Sequence, residues 1–124
     1  MNLDLFDVVI MNVEEIMPYR DTKHCICVSI SKEKYLMINT DHRRMYDDFK
    51  IESQNYPFLN NRDRFIACSE IYDISSERII RNVGKLKIKD INKIIEKIKN
   101  SKSLYKADKD LILPEIESWL LRIK

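Results

Sequence analysis

Glycine is almost absent from this chain: its 124 residues include one, Gly84, beside three prolines. Turns that usually rest on glycine's free backbone must be made by Asn, Asp, Ser and Lys, and the one position that keeps a glycine is marked as having a backbone requirement. Cysteine is scarce and odd in number, with Cys25, Cys27 and Cys68 inside apolar, strand-like stretches. This argues against a disulfide framework and points to small buried hydrophobes in a reducing compartment. Cys25 and Cys27 share one strand face, and no third or fourth ligand stands at zinc-site spacing, so no structural metal and no cofactor is expected. A surplus of one charge is missing too. The 22 basic against 20 acidic residues leave +2, so a nucleic-acid surface can arise only from local clustering. No apolar stretch approaches the ~20 residues of a membrane span. The opening MNLDLFDVVIMNV carries acids where a secretory leader carries bases. The expectation is a cytoplasmic protein with no membrane partner.

What is present fits a single domain over residues 1–124, since the length suffices for one core and divides poorly into two. Leu5 to Val13, His24 to Ile30 and Tyr35 to Thr40 are apolar and β-branched, and the last two flank the turn-like SKEK, which predicts a hairpin. Phe49 to Glu52 reads as a short strand before the loop SQNYPFLNNRD, and further strands are expected over Arg64 to Cys68, Glu70 to Ile74 and Arg78 to Val83. Short strands without intervening helices imply a small antiparallel barrel or a strongly bent sheet. After Gly84 the period changes. Ile88, Ile91, Ile94 or Ile95, and Ile98 fall at helical spacing with lysines opposite, a solvated face. A second helix is expected from near Asp108, with a stripe of Leu113, Ile116, Leu120 and Ile123, Trp119 beside it and Pro114 near its start.

The densest chemistry lies in INTDHRRMYDD, residues 38–48. Metal-free cleavage of RNA needs a base for the 2′-hydroxyl, an acid for the leaving 5′-oxygen and cations for the phosphorane charge. The chain has two histidines, His24 and His42, one at each of the neighbouring ends of the predicted hairpin. Lys23, His24, Thr40, His42, Arg43 and Arg44 are therefore expected to converge on one edge, with the histidines transferring protons and the arginines gripping phosphate. A charge-balanced, solvated DHRR turn is the competing reading. Arg62 and Arg64 beside Tyr56 and Phe58 suggest a strip for stacking and binding RNA. Alternatively, Phe58 and Leu59 close one end of the fold.

The segment RFIACSEIYDISSERIIRNVGKLKIKDINKIIEKI, residues 64–98, resembles the C-terminal half of the MazF/PemK family of ribonuclease toxins. Ser69-Glu70 stand at its acidic or amide pair, Arg78-Ile79 at its R-L, and Val83-Gly84-Lys85-Leu86 at its I-G-x-L, without a gap. LFDVVIMNV resembles the opening strand, with Phe6 in place of the glycine of G-D-V; TKHCICVSI puts Lys23 and His24 where the family has arginine and proline; and YLMINT ends in Thr40 at the catalytic threonine or serine. The resemblance implies an SH3-like barrel followed by helices, a homodimer, a possible antitoxin partner and metal-independent cleavage of single-stranded RNA. Lys23, His24, Thr40 and His42 would then be catalytic, and Arg43, Arg44, Arg62 and Arg64 RNA-binding. The lost arginine and proline favour a second possibility, a barrel that kept the shape and binds RNA or protein without cutting. An inhibitor from a phage or mobile element is a third. Trp119 and Leu120 are expected to contribute apolar surface to the dimer.

Overall fold

The computed structural model describes residues 2–123. Six strands, β1 (Asp7–Asn12), β2 (Thr22–Ser29), β3 (Lys34–Asn39), β4 (Phe49–Ile51), β5 (Arg64–Asp73) and β6 (Ile79–Lys85), precede two helices, α1 (Ile88–Asn100) and α2 (Lys106–Ile123). The strands form one antiparallel sheet in the order β4-β5-β3-β2-β1-β6. The architecture is thus mainly sheet with two helices at the C-terminal end, and Gly84 falls in the last strand, just before the switch from period 2 to period 3.6.

The hairpin of β2 and β3 turns through Ile30–Glu33, where Glu33 takes a left-handed φ of 53° in place of a glycine. Asp47, Asn60 and Asn61 do the same elsewhere, as expected of Asn and Asp in a chain short of glycine. Gly84 has a φ of +149°, and the Phe58 ring covers it, so that a Cβ there would stand 3.6 Å from a ring carbon. The two strands expected over residues 64–74 are one, β5. Between the Met37↔Ala67 and Tyr35↔Tyr72 pairs it carries four residues against one on β3, an insertion that bends the strand and leaves Glu70 exposed.

Both sheet faces are covered. Cys25, Cys27, Tyr35 and Met37 lie on one face and Ile26, Leu36, Ile38 and Ile66 on the other, all nearly solvent-free. The three cysteines are free, buried thiols, and burial pushes each of them up to about 12. In α1, Ile91, Ile94, Ile95 and Ile98 are buried as the spacing predicts, whereas Ile88, in the first turn, is exposed. α2 departs further from expectation. Pro114 lies inside the helix, not in its first turn, and the buried stripe is Ile112, Ile116 and Trp119, with Leu113 and Leu120 half-buried and Ile123 exposed. Glu115 anchors this helix to the hairpin turn, accepting from Ser29 Oγ at 2.7 Å, Ser31 Oγ at 2.8 Å and the Ile30 N–H at 2.9 Å. Trp119 packs on Phe6 with ring centroids 5.1 Å apart and is 3% exposed. It belongs to the chain's own core, so the apolar surface expected of it for dimerisation is absent.

Candidate nucleic-acid interface

Where β2 begins and β3 ends, beside the bend of β5 and the connector between the helices, lies a groove of about 640 Å³. It is lined by Lys23, Met37, Asn39 and Ala67 of the sheet, by Thr40, Asp41, Arg43, Met45 and Tyr46 after β3, by Ser69 to Tyr72 of β5, and by Met17, Arg20, Tyr105 and Asp108.

Lys23 reaches this groove because its position faces Asn39 in the β2–β3 register, two residues along from the Cys25↔Met37 pair. Its Nζ donates to Asn39 Oδ1. Half-burial, followed by the positive charges of Arg20 and Arg64, lowers its pKa from the ordinary lysine value. Among the described residues no carboxylate forms an ion pair with it. Opposite, Glu70 accepts a 2.9 Å hydrogen bond from Tyr72 Oη. Burial, together with this bond to Glu70, raises the Tyr72 pKa, so the phenol stays protonated.

The expected constellation is only partly brought together. Lys23, Thr40 and Arg43 line the groove; His24, His42, Arg44, Arg62 and Arg64 do not. His24 is separated from Lys23 by strand alternation, which sends adjacent side chains to opposite faces. Its ring stacks on Phe58, 6.0 Å between centroids at 22°, and burial, then Arg64 and Arg81, lowers its pKa. His42 stays on the outside of its turn, tilted against Phe65 at 5.5 Å, with Nδ1 2.5 Å from Asp48 Oδ1. Asp48, its side chain fully enclosed, also accepts the Arg43 N–H at 2.9 Å. Asp48 thus folds the HRRMYDD segment around itself. The turn is self-organised through His42 and offers Thr40 and Arg43 to the groove.

Arg44 and Arg62 are exposed, while Arg64 is half-buried with its Nε lacking a hydrogen-bond partner. Leu59 is buried, whereas Phe58 is half-buried against His24 and Tyr56, so Leu59 alone of the pair is a core plug. Sequence reasoning missed Arg20, Asn39, Tyr46, Glu70, Tyr72 and Tyr105. Of these, Asn39 was accessible from hairpin register; the others come from segments whose approach no local pattern signals. Among the described residues no cluster of His, Cys, Asp and Glu is arranged to hold a metal ion, and no helix is long and apolar enough to cross a membrane. No protein-family model matches the chain, and no curated protein matches it in sequence.

Proposed function

We propose that the chain is a diverged MazF/PemK-like ribonuclease, an SH3-like barrel that holds single-stranded RNA in the groove and cuts it by 2′-hydroxyl attack without a metal. The observation that carries this reading is that Lys23 and Thr40, at the positions of the resembled family's arginine and catalytic hydroxyl, line one groove with Arg20 and Arg43. Backbone geometry supports the alignment at two further points. Phe6, standing for the family's opening glycine, has a φ of 64°, and Gly84, standing for its second, has +149°.

On this reading Arg20 and Arg43 hold the scissile phosphate and Thr40 donates to it, stabilising charge that develops on the phosphorane. Glu70 takes the 2′-hydroxyl proton, the role expected of a histidine. The 2′-oxygen bonds to phosphorus, the bond to the 5′-oxygen breaks, and the Lys23 ammonium, whose proton is loosened by burial and by its arginine neighbours, protonates the leaving oxygen. A 2′,3′-cyclic phosphate and a 5′-hydroxyl result, and Glu70 and Lys23 recover their protonation from solvent. Tyr46, Tyr72 and Tyr105 offer ring faces to unpaired bases. A homodimer, an antitoxin partner and a cytoplasmic setting belong to the same proposal through the resemblance.

The test is incubation of the purified chain with single-stranded RNA and with DNA of the same sequence, with and without chelator. RNA is cut to cyclic-phosphate ends regardless of chelator, DNA survives, and Lys23→Ala slows cleavage by about 10²-fold. Intact RNA at high protein concentration would falsify the nuclease reading. The position of both histidines outside the groove favours one alternative, an RNA-binding module without cleavage. Tight retention of RNA that stays uncut would single it out.

A further inference from the structure

Around the corner from the groove lies a second cationic face that the proposed chemistry leaves unused. Ile10 of β1 pairs with His24 of β2 on one side and with Arg81 of β6 on the other, so the three residues form one row across three strands. Residues directly opposite one another in a sheet project to the same face, which puts His24 and Arg81 on a common surface. Phe58 lies nearly parallel to the His24 ring and closes over Gly84, where no side chain intervenes.

Arg64, the first residue of β5, joins this face to the groove. Phe65 stands opposite Asn39, so strand alternation puts Arg64 on the His24 face of the sheet, while its charge is felt at Lys23 as well as at His24. Among the described residues neither Arg64 nor Arg81 is in an ion pair, although Arg78 on the same stretch of chain binds Glu15. The Arg64 Nε is buried without an acceptor. Arg20 and Lys23 in the groove, then Arg64 and Arg81 with the neutral His24 ring beside them, form a series of nitrogen donors in which the four cations repel one another. A polyanion crossing them would relieve that repulsion. The stacked His24–Phe58 pair in the middle of the band offers an aromatic edge and face, the feature that distinguishes a nucleic-acid track from a site for a small anion.

We infer that bound RNA leaves the groove past Arg64 and continues over the His24–Phe58 pair to Arg81, one phosphate lying between the two arginines and a base against the aromatic pair. This rests on the RNA reading above but not on cleavage, and it would hold equally for a non-cutting RNA-binding module.

Binding of 2′-O-methyl oligonucleotides, which cannot undergo 2′ attack, tests it by fluorescence anisotropy with one oligonucleotide of about four nucleotides and one of about ten. The wild type should bind the longer one at least tenfold more tightly. Arg81→Gln, an exposed substitution, should remove about tenfold of affinity for the longer oligonucleotide, the scale of one charge-assisted contact. It should also reduce the slope of log affinity against log salt by about 0.7, one single-strand phosphate. Arg64→Lys, which retains a cation should Arg64→Gln fail to fold, should give a smaller loss in the same direction. Equal wild-type affinity for both lengths, or an Arg81→Gln chain with wild-type affinity and salt slope on the longer one, overturns the track while leaving RNA binding in place. A wild type that binds neither length overturns the RNA reading, and the track with it.

Discussion

Lys23 and Lys34 stand on the two strands of one hairpin and are both withdrawn from solvent, yet they are opposite in character. Lys34, 7% exposed, donates to Asp73 Oδ1 at 2.6 Å and to Asp108 Oδ1 at 3.3 Å. The bond to Asp73 and then that to Asp108 outweigh burial and raise its pKa. It stitches the start of α2 to β3 and β5. Lys23 has a neutral amide for its acceptor and arginines for neighbours, and its pKa is lowered. One end of the hairpin therefore closes its own charges into structure, and the other leaves Lys23 without a direct carboxylate partner beside an open groove. An enclosed cation without a carboxylate is costly in isolation, and the cost falls when an anionic ligand arrives.

The sharpest way to break this contrast is to give Lys23 the partner Lys34 already has. Asn39→Asp should tie down the ammonium and, on the proposed nuclease reading, slow RNA cleavage by about 10²-fold, the scale of losing a proton donor. The chain should remain folded by circular dichroism. The opposite exchange acts on stability. Lys34→Ala leaves Asp108 and the exposed Asp73 without their cation and opens space in the hairpin, and should cost about 1–2 kcal/mol in urea unfolding.

Alkaline titration sharpens the same comparison through its sign. Because Lys34's pKa is raised on folding, its contribution is complete below the unfolded lysine value of about 10.4 and is lost as pH rises through the folded value. Lys23's pKa is depressed, so its contribution is present above that unfolded value and is lost as pH falls through the folded one. Urea midpoints between about pH 8 and 11 should show Lys34→Met losing its deficit against wild type as pH rises, and Lys23→Met gaining on wild type as pH falls. Parallel curves for the two variants would mean that their environments do not differ in the way described.

The smallest expected effects concern supports at the two ends. Burial alone would raise the Glu115 pKa, but the Ser29, Ser31 and backbone donors around it lower it overall. Its contribution is therefore present above the unfolded carboxyl value of about 4.3 and disappears as pH falls through the lower folded one. Glu115→Gln should cost about 1 kcal/mol at neutral pH, and the difference from wild type should shrink in acid. Gly84→Ala should cost about 1 kcal/mol, measured the same way. Its new Cβ meets Phe58 at an ordinary contact distance, so the cost comes from the φ of +149°.

Strand and helix identity was legible from residues 5 to 98 because both rest on local spacing: alternation in HCICVSI, β-branched pairs in YLMINT, and isoleucines every three or four residues after Gly84. α2 was read less well. Apolar residues at Leu111, Leu113, Leu120 and Leu121 surround it on several sides, so periodicity alone did not select Ile112, Ile116 and Trp119 as the inner face. The site divides along the same line. Lys23, Thr40 and Arg43 were found because a hairpin makes its own ends neighbours. The separation of His24 from Lys23 was also available from period 2, and the proximity of the strand ends obscured it.

The sequence by itself thus determined where strands give way to helices, which cysteines are buried, and that one hairpin would carry cations at its open end, since each depends on residues a few positions apart. Which of the hairpin's two enclosed lysines became structure and which faced a groove was decided only by tertiary contacts. Lys34 met Asp73 and Asp108, far along the chain, whereas Lys23 met Arg20, Arg64 and the bend of β5. The charge environment of a side chain is set by whatever lies within a few ångströms, and for these two lysines most of it arrives from distant sequence.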